Sequence, residues 1–486
     1  MTSTAVVSPN RFTTLAHPSG WSWSTLIVGL LVLIVADAGI ATEYDAVILA
    51  IVLAAIFPRY LLGLTILIVS MQNAPGASGM SWYVGFSAMA VIAFFRQIRI
   101  VLGNPEHFFR LPPIVLLAML VILYGTTTST IFALAGGPAQ DPSRPFLMVG
   151  GLMIVAIWLG NYFSVMIRLN KIKFREYVPI VWLTLGHSLF LVMGQIAIDP
   201  IFLNRPPDAS DADVAAQLVT ATALGIPRIT GQFLSPNTMA LYFILIFLIL
   251  FGSRPKWTLS RNWFLFWIVG GLIVSLASLS KAITLMILVS ILNAIARKLG
   301  WVLTVIFGLS LATIVVAVVN IQVFEILKES FRFSNELSGN SLRNRTWTAV
   351  LTEFTASNWI FGTGLSHWPS FLEKTIGIRL SDPHSFALSV PGTFGLAGVL
   401  FYLYMIGKLI RTSLRSRGGR RFVIAVLLSL FLIRDLFGIP YVFGNTPLTF
   451  LIWFVLLRSL YPCAREPEPA HSFLLSGPDG LGRARS

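Results

Sequence analysis

Disulfides and charge are scarce in this sequence. It holds one cysteine, Cys463, so no intramolecular disulfide can form and the loops must be ordered by packing. Charged residues make up 11% of the chain, whereas hydrophobic residues make up 56% and the mean hydropathy is +0.79. This composition excludes an ordinary soluble protein. The apolar runs do not alternate with polar residues, so the chain is predicted to be an all-α, polytopic transmembrane protein and not a barrel.

The motifs of nucleotide and metal chemistry are missing as well. The sequence has no P-loop, no Asp-x-Asp pair of a nucleotide-sugar enzyme, no GxSxG and no HExxH. Asp208, Asp211 and Asp213 lack the glycine and the distal glutamate of a calcium loop, and are interpreted as solvated acids. We therefore expect no cofactor and no metal.

What the chain does have is basic residues, with a formal net charge of +15. Such a charge could indicate nucleic acid, but the arginines and lysines lie in short loops between apolar runs and not in a basic soluble module. Basic short loops stay cytoplasmic. The charge is therefore expected to orient the protein, and no nucleic-acid partner is predicted.

The apolar runs predict about 14 membrane spans, and about 12 would keep the same parity. The predicted spans are 22–40, 45–57, 60–71, 82–96, 112–135, 147–167, 177–197, 238–252, 263–277, 282–296, 301–319, 388–408, 421–437 and 443–460. Both termini then lie in the cytoplasm. The expected organisation is a cytoplasmic segment 1–21, a membrane domain 22–460 with external loops 198–237 and 320–387, and a disordered cytoplasmic tail 461–486.

The second long loop and the span after it concentrate polar side chains between Ser341 and Gly398. His384 lies just before a predicted span, where a neutral imidazole could take a proton from a hydroxyl. The structural alternative is an interfacial histidine that hydrogen-bonds a loop carbonyl. From residue type and position alone, both interpretations stay open.

Four cations could bind an anionic substrate. Arg343 and Arg345 open a predicted surface helix, Arg228 lies in the other long loop, and Lys281 lies in a tight turn between two predicted spans. Guanidinium groups bind phosphate through two hydrogen bonds, so arginines from two loops could hold a diphosphate. The alternative for each cation is solvation or contact with lipid headgroups.

Other polar residues have structural interpretations. Trp347, Val350, Leu351 and Phe354 recur at helical spacing and predict an apolar stripe on a surface helix over 341–357. Arg434 and Asp435 are expected to form an ion pair that stabilises a helix contact, and Asp37 in the first span is interpreted in the same way.

Several of these residues together resemble the bacterial O-antigen ligase and O-antigen polymerase superfamily of polytopic membrane glycosyltransferases. The resemblance covers about residues 228–453. It is carried by Arg228-x-x-Gly-x-Phe-x-x-Pro-Asn237, Ser280-Lys281, Ser341-x-Arg343-x-x-x-Trp347 with Phe354, Gly362 and Gly364, and His384-Ser385 with Gly395 and Gly398. Two positions depart from the family pattern: Lys281 replaces an arginine, and Ser385 replaces an asparagine.

The resemblance implies a fold and a reaction. The donor would be a glycan on a polyprenyl diphosphate at the outer face of the bacterial cytoplasmic membrane. Arg343, Arg228 and Lys281 would stabilise the diphosphate that leaves, and Arg345 is a further candidate for binding it. His384 would act as general base on the hydroxyl of a glycan or lipid-core acceptor in a metal-independent, inverting attack.

The resemblance leaves the acceptor open, so ligase and polymerase are both retained, with a lean towards polymerase or exopolysaccharide assembly. Contacts with membrane lipids and association with other polysaccharide-assembly membrane proteins are expected. A lipid-linked glycan or polysaccharide transporter without transferase activity is the alternative, and it predicts polar residues in several spans. A peptidoglycan glycosyltransferase of the shape, elongation, division and sporulation type is a third interpretation, for which an essential acid such as Glu329, Glu336 or Glu353 would be needed.

Overall fold

The fold is known from a computed structural model. It describes residues 22–38, 42, 44–71, 81–103, 111–135, 146–197, 222–223, 226–227, 236–252, 269–270, 339–377, 383, 385–416, 418–434, 441–443 and 447–461. Within these ranges the protein is all-α apart from one antiparallel pair of two-residue strands, β1 (Thr222–Ala223) and β2 (Ile226–Pro227). The predicted fold class is confirmed at this level.

The longer helices are α1 (Trp23–Ala38), α2 (Asp45–Ile56), α3 (Leu61–Ser70), α4 (Ser81–Gly103), α5 (Pro113–Ala135), α6 (Phe146–Arg168), α7 (Val178–Ala197), α8 (Pro236–Gly252), α9 (Gly339–Glu353), α10 (Ala356–Phe361), α11 (His367–Ile376), α12 (Phe386–Arg415), α13 (Gly418–Ser429) and α14 (Pro447–Leu460). Except for α9, α10 and α11, these described α-helices follow the apolar runs. Short 3-10 turns lie at Pro58–Tyr60, Phe174–Glu176 and Tyr441–Phe443, and a π-helical turn, Leu430–Arg434, extends α13.

Four described helices are long and apolar enough to cross a membrane: Tyr83–Leu102, Pro113–Ala135, Leu147–Arg168 and Phe386–Arg415. Shorter apolar helices accompany them at Trp23–Ala38, Val178–Gly194, Thr238–Gly252 and Leu448–Leu460. The predicted total of about 14 spans is therefore not confirmed. Three of the predicted spans, 263–277, 282–296 and 301–319, lie outside the described residues except for 269–270.

The structure differs from the prediction of two separate spans at 45–57 and 60–71. Helices α2 and α3 are bent by 118° at Phe57, where Pro58 starts a 3-10 turn. Twelve and ten residues of helix reach only about 18 Å and 15 Å, against a hydrocarbon thickness of about 30 Å. The pair therefore forms one broken span or a re-entrant element, because neither half can cross alone.

The centre of the bundle is made by three helices that are buried along their length. Every residue of α3 is buried, as are the residues of α8 from Thr238 to Phe251 and those of α14 from Leu448 to Leu460. Helix α14 packs on α3, α6, α8 and α13. Gly160 of α6 lies close to α14, because a Cβ there would lie 2.9 Å from the backbone nitrogen of Phe454. Outer helices such as α1 and α4 bury one face only.

One end of the bundle is strongly basic. Contacts at this end join Arg96 to the Pro58 carbonyl at 2.6 Å, Thr25 to the Arg175 carbonyl at 3.3 Å, and Arg420 to the Ser459 carbonyl at 2.9 Å. The cations near these contacts are Arg59, Arg96, Arg99, Arg168, Lys171, Lys173, Arg175, Lys408, Arg411, Arg415, Arg420, Arg421 and Arg458. Such clustering at one end is what the distribution of basic residues in short loops predicts.

Helix α12 is broken near its start. Gly395 has φ +60° and ψ −154°, a conformation outside the helical region, and Pro391 removes a backbone donor four residues earlier. The break leaves carbonyls that helix α12 does not satisfy itself. Thr363 donates its backbone N–H to the Gly392 carbonyl at 2.7 Å, and Gly364 donates to the Thr393 carbonyl at 3.1 Å. The loop after α10 therefore completes the hydrogen bonding of a membrane helix.

The same loop is tied to α5. Tyr124 donates its hydroxyl hydrogen bond to the Phe361 carbonyl at 2.7 Å, and the backbone N–H of Leu365 donates to the hydroxyl of Ser129 at 2.7 Å. Consecutive backbone groups of the loop thus bond to α5 and to α12. Non-helical backbone is tolerated at membrane depth when it is buried and bonded in this way.

Replacing Gly395 with alanine should destabilise the protein. A Cβ at Gly395 would lie 2.2 Å from the Ile360 carbonyl oxygen, and the φ and ψ angles there are open almost only to glycine. We expect a loss of at least about 1–3 kcal/mol, seen as a lower midpoint of thermal unfolding in detergent. Gly407→Ala is the matched control, because Gly407 lies in the same helix with nothing within 4 Å of its Cβ position. Equal midpoints for the two variants would contradict the role of the break.

Candidate active site

The candidate site is built on a small helical block, residues 339–376, that packs on the first part of α12. Its core is formed by Val350, Phe354, Trp368 and Leu372, all buried. The rings of Phe354 and Trp368 stack with centroids 5.1 Å apart and an angle of 5°. Trp368 also donates its indole N–H to the hydroxyl of Thr393 on α12 at 2.8 Å. The block is therefore fixed to the membrane bundle by apolar packing and by hydrogen bonds.

The block lies away from the basic end. It contacts α12 at Gly392 and Thr393, whereas Lys408 of the same helix bonds to the hydroxyl of Tyr461 at the basic end. Fifteen residues separate Thr393 from Lys408, which corresponds to roughly 22 Å of helix. The polar stretch singled out in the sequence thus lies on the other side of the bundle from most of the described cations.

Trp347 connects α9 to the start of α12. Its indole N–H donates to the carbonyl of Pro383 at 2.9 Å. Pro383 directly precedes His384 in the sequence, and Ser385, directly after His384, is the N-cap residue of α12 and is buried. The structure therefore holds the chain on both sides of the predicted base, although His384 itself lies outside the described residues.

Arg345 has a structural contact. Its Nη2 atom donates to the carbonyl of Ile376 at 3.1 Å, at the last residue of α11, and the side chain is otherwise exposed. A cation beside the carbonyls at a helix C-terminus is favoured by the helix dipole. Arg345 therefore joins α9 to α11, which the sequence did not predict, and its exposed remainder still faces outward from the block.

The other predicted binding residues are less completely placed. Arg343 lies on α9 two residues before Arg345, and its backbone is helical, but its side chain is outside the described part of the structure. Arg228 and Lys281 lie outside the described residues altogether, and so does Asp435, the predicted ion-pair partner of Arg434. The structure thus brings the segment of Arg343 and Arg345 beside the flanks of His384, and the predicted convergence with Arg228 and Lys281 stays a prediction.

The predicted apolar stripe on the surface helix is right in part. Val350 and Phe354 are buried and Trp347 is partly buried, but Leu351 is 64% exposed. Helix α9 ends at Glu353 and a new helix follows, N-capped by Thr355, whose hydroxyl accepts from the Asn358 N–H. Leu351 points out because the buried face of α9 is turned towards α11.

Several polar residues of the structure had no signal in the sequence. Tyr124 and Ser129 of α5 hold the loop of the block, but hydroxyls in an apolar run do not reveal distant partners. His367 begins α11 and is buried among rings, with its own ring centroid 5.3 Å from that of Phe371. His187 of α7 pairs with Asp37 of α1, which agrees with the interpretation of Asp37 as a helix-pairing residue and supplies its partner.

The described part of the site offers a cationic side chain, that of Arg345, and backbone donors. Arg345 stands on the helix that reaches the N-terminus of α12, where the dipole favours negative charge. Within the residues that the structure describes, no group of three or more His, Cys, Asp or Glu side chains could hold a metal ion. The arrangement is compatible with binding an anionic group.

Comparison with known proteins adds no assignment. No protein-family model matches the chain, and no curated protein is similar to it in sequence at a significant level.

Proposed function

We propose that the protein is a membrane glycosyltransferase of the O-antigen ligase or polymerase type. It would transfer or polymerise a glycan from a polyprenyl-diphosphate donor at the outer face of the bacterial cytoplasmic membrane. The observation that carries the proposal is the hydrogen bond from Trp347 to the Pro383 carbonyl, because it joins the helix of Arg343 to the residue before His384. Two motifs separated by about 40 residues of chain thereby meet at one point, as one active site requires.

The sidedness of the proposal follows from charge. The basic end of the bundle is assigned to the cytoplasm, with both termini there, and the block of residues 339–376 is then assigned to the outer face. A donor that has been moved across the membrane carries its own leaving group, so no nucleotide is needed. Surface-polysaccharide or lipopolysaccharide assembly is the process that fits such a donor.

The proposed reaction is a direct displacement at the anomeric carbon. The acceptor hydroxyl oxygen forms the new bond to that carbon as the bond to the diphosphate oxygen breaks, and His384 takes the proton of the hydroxyl. Negative charge develops on the leaving diphosphate. Arg343, Arg228 and Lys281, with Arg345 at the edge, would stabilise it as fixed cations. The acceptor is a glycan or a lipid core.

Transport of a lipid-linked glycan is the second candidate function, and one observation favours it. Asp37 and His187 form an ionisable pair between two apolar helices, and such pairs in membrane proteins often mark transport or proton pathways. The hydroxyl of Tyr242 on α8 also lies near the hydroxyls of Ser70, Thr184 and Ser188. The transferase proposal is preferred because the junction of α9 with the residue before His384 has no role in simple transport.

His384→Ala should abolish transfer without abolishing donor binding. The test is transfer of a labelled polyprenyl-diphosphate glycan by purified protein in liposomes with EDTA present, comparing the variant with the wild type. We expect a loss of about 100-fold or more in kcat, since a general base contributes about 10²–10⁴-fold. Mass analysis of the product identifies the acceptor. Normal transfer by His384→Ala would exclude this base. Donor movement across the bilayer by a wild-type protein that transfers nothing would favour the transporter.

Trp347→Phe should lower kcat about tenfold and leave the KM for the donor nearly unchanged. The substitution keeps an aromatic ring but removes the donor to the Pro383 carbonyl, and a tenfold loss corresponds to about 1.4 kcal/mol, the size of one hydrogen bond. Trp359→Phe is the control, because Trp359 packs on the ring of Phe354 in the same block. Thermal unfolding of both variants separates a local effect from global destabilisation. Equal kcat values for the two variants would remove Trp347 from the mechanism.

A further inference from the structure

The feature that leads beyond the proposed function is the exposed end of helix α10. The first turn of α10 is polar: the hydroxyls of Thr355 and Ser357 lie 2.8 Å apart, and the Thr355 hydroxyl accepts from the N–H of Asn358 at 3.4 Å. The last two residues are apolar, and 52% of Ile360 and 60% of Phe361 are exposed. This short helix therefore changes from polar to apolar along its length.

The apolar end of α10 is held against two longer helices. The Phe361 carbonyl accepts the hydrogen bond of the Tyr124 hydroxyl on α5. On α12, Gly395 lies so close that a Cβ there would be 2.2 Å from the Ile360 carbonyl oxygen. Both contacts are made by the backbone of Ile360 and Phe361, and their side chains stay at the surface.

Helices α5 and α12 both measure how far along the bundle α10 reaches, since each is long and apolar enough to cross a membrane. Tyr124 is eleven residues from either end of α5, which corresponds to about 16 Å of helix. Gly395 is nine residues after the start of α12, which corresponds to about 13 Å. Both values are close to half of a hydrocarbon thickness of about 30 Å. The end of α10 therefore lies at the level that a spanning α5 and α12 place near the middle of the bilayer.

The surface around this level is apolar. Leu120 and Leu123 are exposed on α5, and Leu396 and Leu400 are exposed on α12. Helices α5 and α10 contain no charged residue, and α12 contains none before Lys408. A helix that crosses a membrane presents such a face to lipid. The exposed end of α10 continues this face, because its backbone is bonded to α5 and packed on α12.

The burial of the backbone distinguishes lipid from water as the surroundings of α10. Ile360 and Phe361 are exposed and helical, whereas the irregular residues that follow, Gly362, Thr363 and Gly364, are buried. In water, irregular segments run over the surface and carry polar side chains. In lipid, exposed backbone has to be helical and irregular backbone has to be buried and bonded. The order found at the end of α10 is the one that lipid requires.

The described charged side chains of the block lie at a different place. Arg345 donates to the carbonyl of Ile376 at the end of α11, and Lys374 in the same turn is exposed. Helix α11 meets α12 near its other end, where Trp368 donates to Thr393. Eight residues, about 12 Å of helix, separate Trp368 from Ile376. The block thus has an apolar edge beside α5 and α12 and a charged edge away from them.

We propose that α10 is a re-entrant helix whose apolar end, Ile360 and Phe361, contacts the hydrocarbon chains of the bilayer lipids. The partner of this surface is bulk membrane lipid. The block of residues 339–376 is then anchored in the membrane by α10, and its charged edge at Arg345 and Lys374 faces water. This inference does not rest on glycosyl transfer.

Spin labels on single cysteines test the position of α10 in the full-length protein. Cys463 is replaced by serine, and Phe361→Cys, Ser357→Cys and Lys374→Cys are each labelled with a nitroxide in liposomes of phosphatidylethanolamine and phosphatidylglycerol. At position 361 we expect relaxation by oxygen, which dissolves in hydrocarbon, to exceed relaxation by a water-soluble nickel chelate. At position 374 the order should be reversed. Position 357 is the matched control on the same helix and should lie up to about 6 Å shallower than position 361.

Every other result at position 361 would overturn the proposal. Relaxation mainly by nickel would place the end of α10 in water. A label shielded from both reagents would show that protein covers this surface. If Phe361→Cys does not fold, Ile360→Cys carries the same test, because Ile360 is the other exposed residue at the end of α10.

Thermal unfolding of Phe361→Lys in the same liposomes gives an independent test. A cation near a helix C-terminus is favoured by the helix dipole, so at a surface in water this variant should be as stable as the wild type. In hydrocarbon the charge is costly, and we expect a lower unfolding midpoint. Phe361→Leu is the matched control and should keep the wild-type midpoint. Equal midpoints for Phe361→Lys and Phe361→Leu would contradict contact with lipid.

Discussion

Backbone hydrogen bonding in a medium without water is the constraint on which the structure depends. The regular backbone hydrogen bonds of α12 are interrupted at Gly395. The backbone N–H groups of Thr363 and Gly364, in the loop between α10 and α11, replace them. The loop is held in turn by Tyr124 and Ser129 of α5. Because an unsatisfied group in hydrocarbon costs several kcal/mol, the loop and the break stabilise each other. The whole block of residues 339–376 takes its position from this exchange.

The position of this block explains why glycine occurs at three of the motif positions. Gly362, Gly364 and Gly395 all have positive φ. The loop that contains Gly362 and Gly364 lies within hydrogen-bonding distance of the backbone of α12 near Gly395. A side chain at Gly395 would collide with the Ile360 carbonyl. The glycines therefore serve the junction and not the chemistry itself. They fix the N-terminal part of α12 so that α9, through Trp347, can reach the carbonyl before His384.

Features governed by composition could be predicted from the sequence, and features governed by distant partners could not. Apolar runs gave the helices of α4, α5, α6 and α12, and helical spacing gave α9, because these depend on local residues. The bend at Phe57 was missed since two short runs separated by a proline look like two spans. Asp37 was interpreted as a helix-pairing residue, but its partner His187 was missed because neither residue carries a local sign of a partner 150 positions away. Leu351 is exposed because the position of α11 decides which face of α9 is buried, and the sequence of α9 does not show that position.

Two polar sites in one membrane protein raise the question of whether they act together. The block with Arg343 and Arg345 packs on α12 and is hydrogen-bonded to α5, whereas Asp37 and His187 join α1 to α7. A general base must lie within hydrogen-bond reach of the acceptor hydroxyl. Asp37 and His187, which bond to each other between α1 and α7, would reach only a substrate that enters the bundle. The two sites are therefore assigned different tasks. The proposed chemistry is assigned to the helical block at one end, and the pair of Asp37 and His187 is assigned to the contact between α1 and α7.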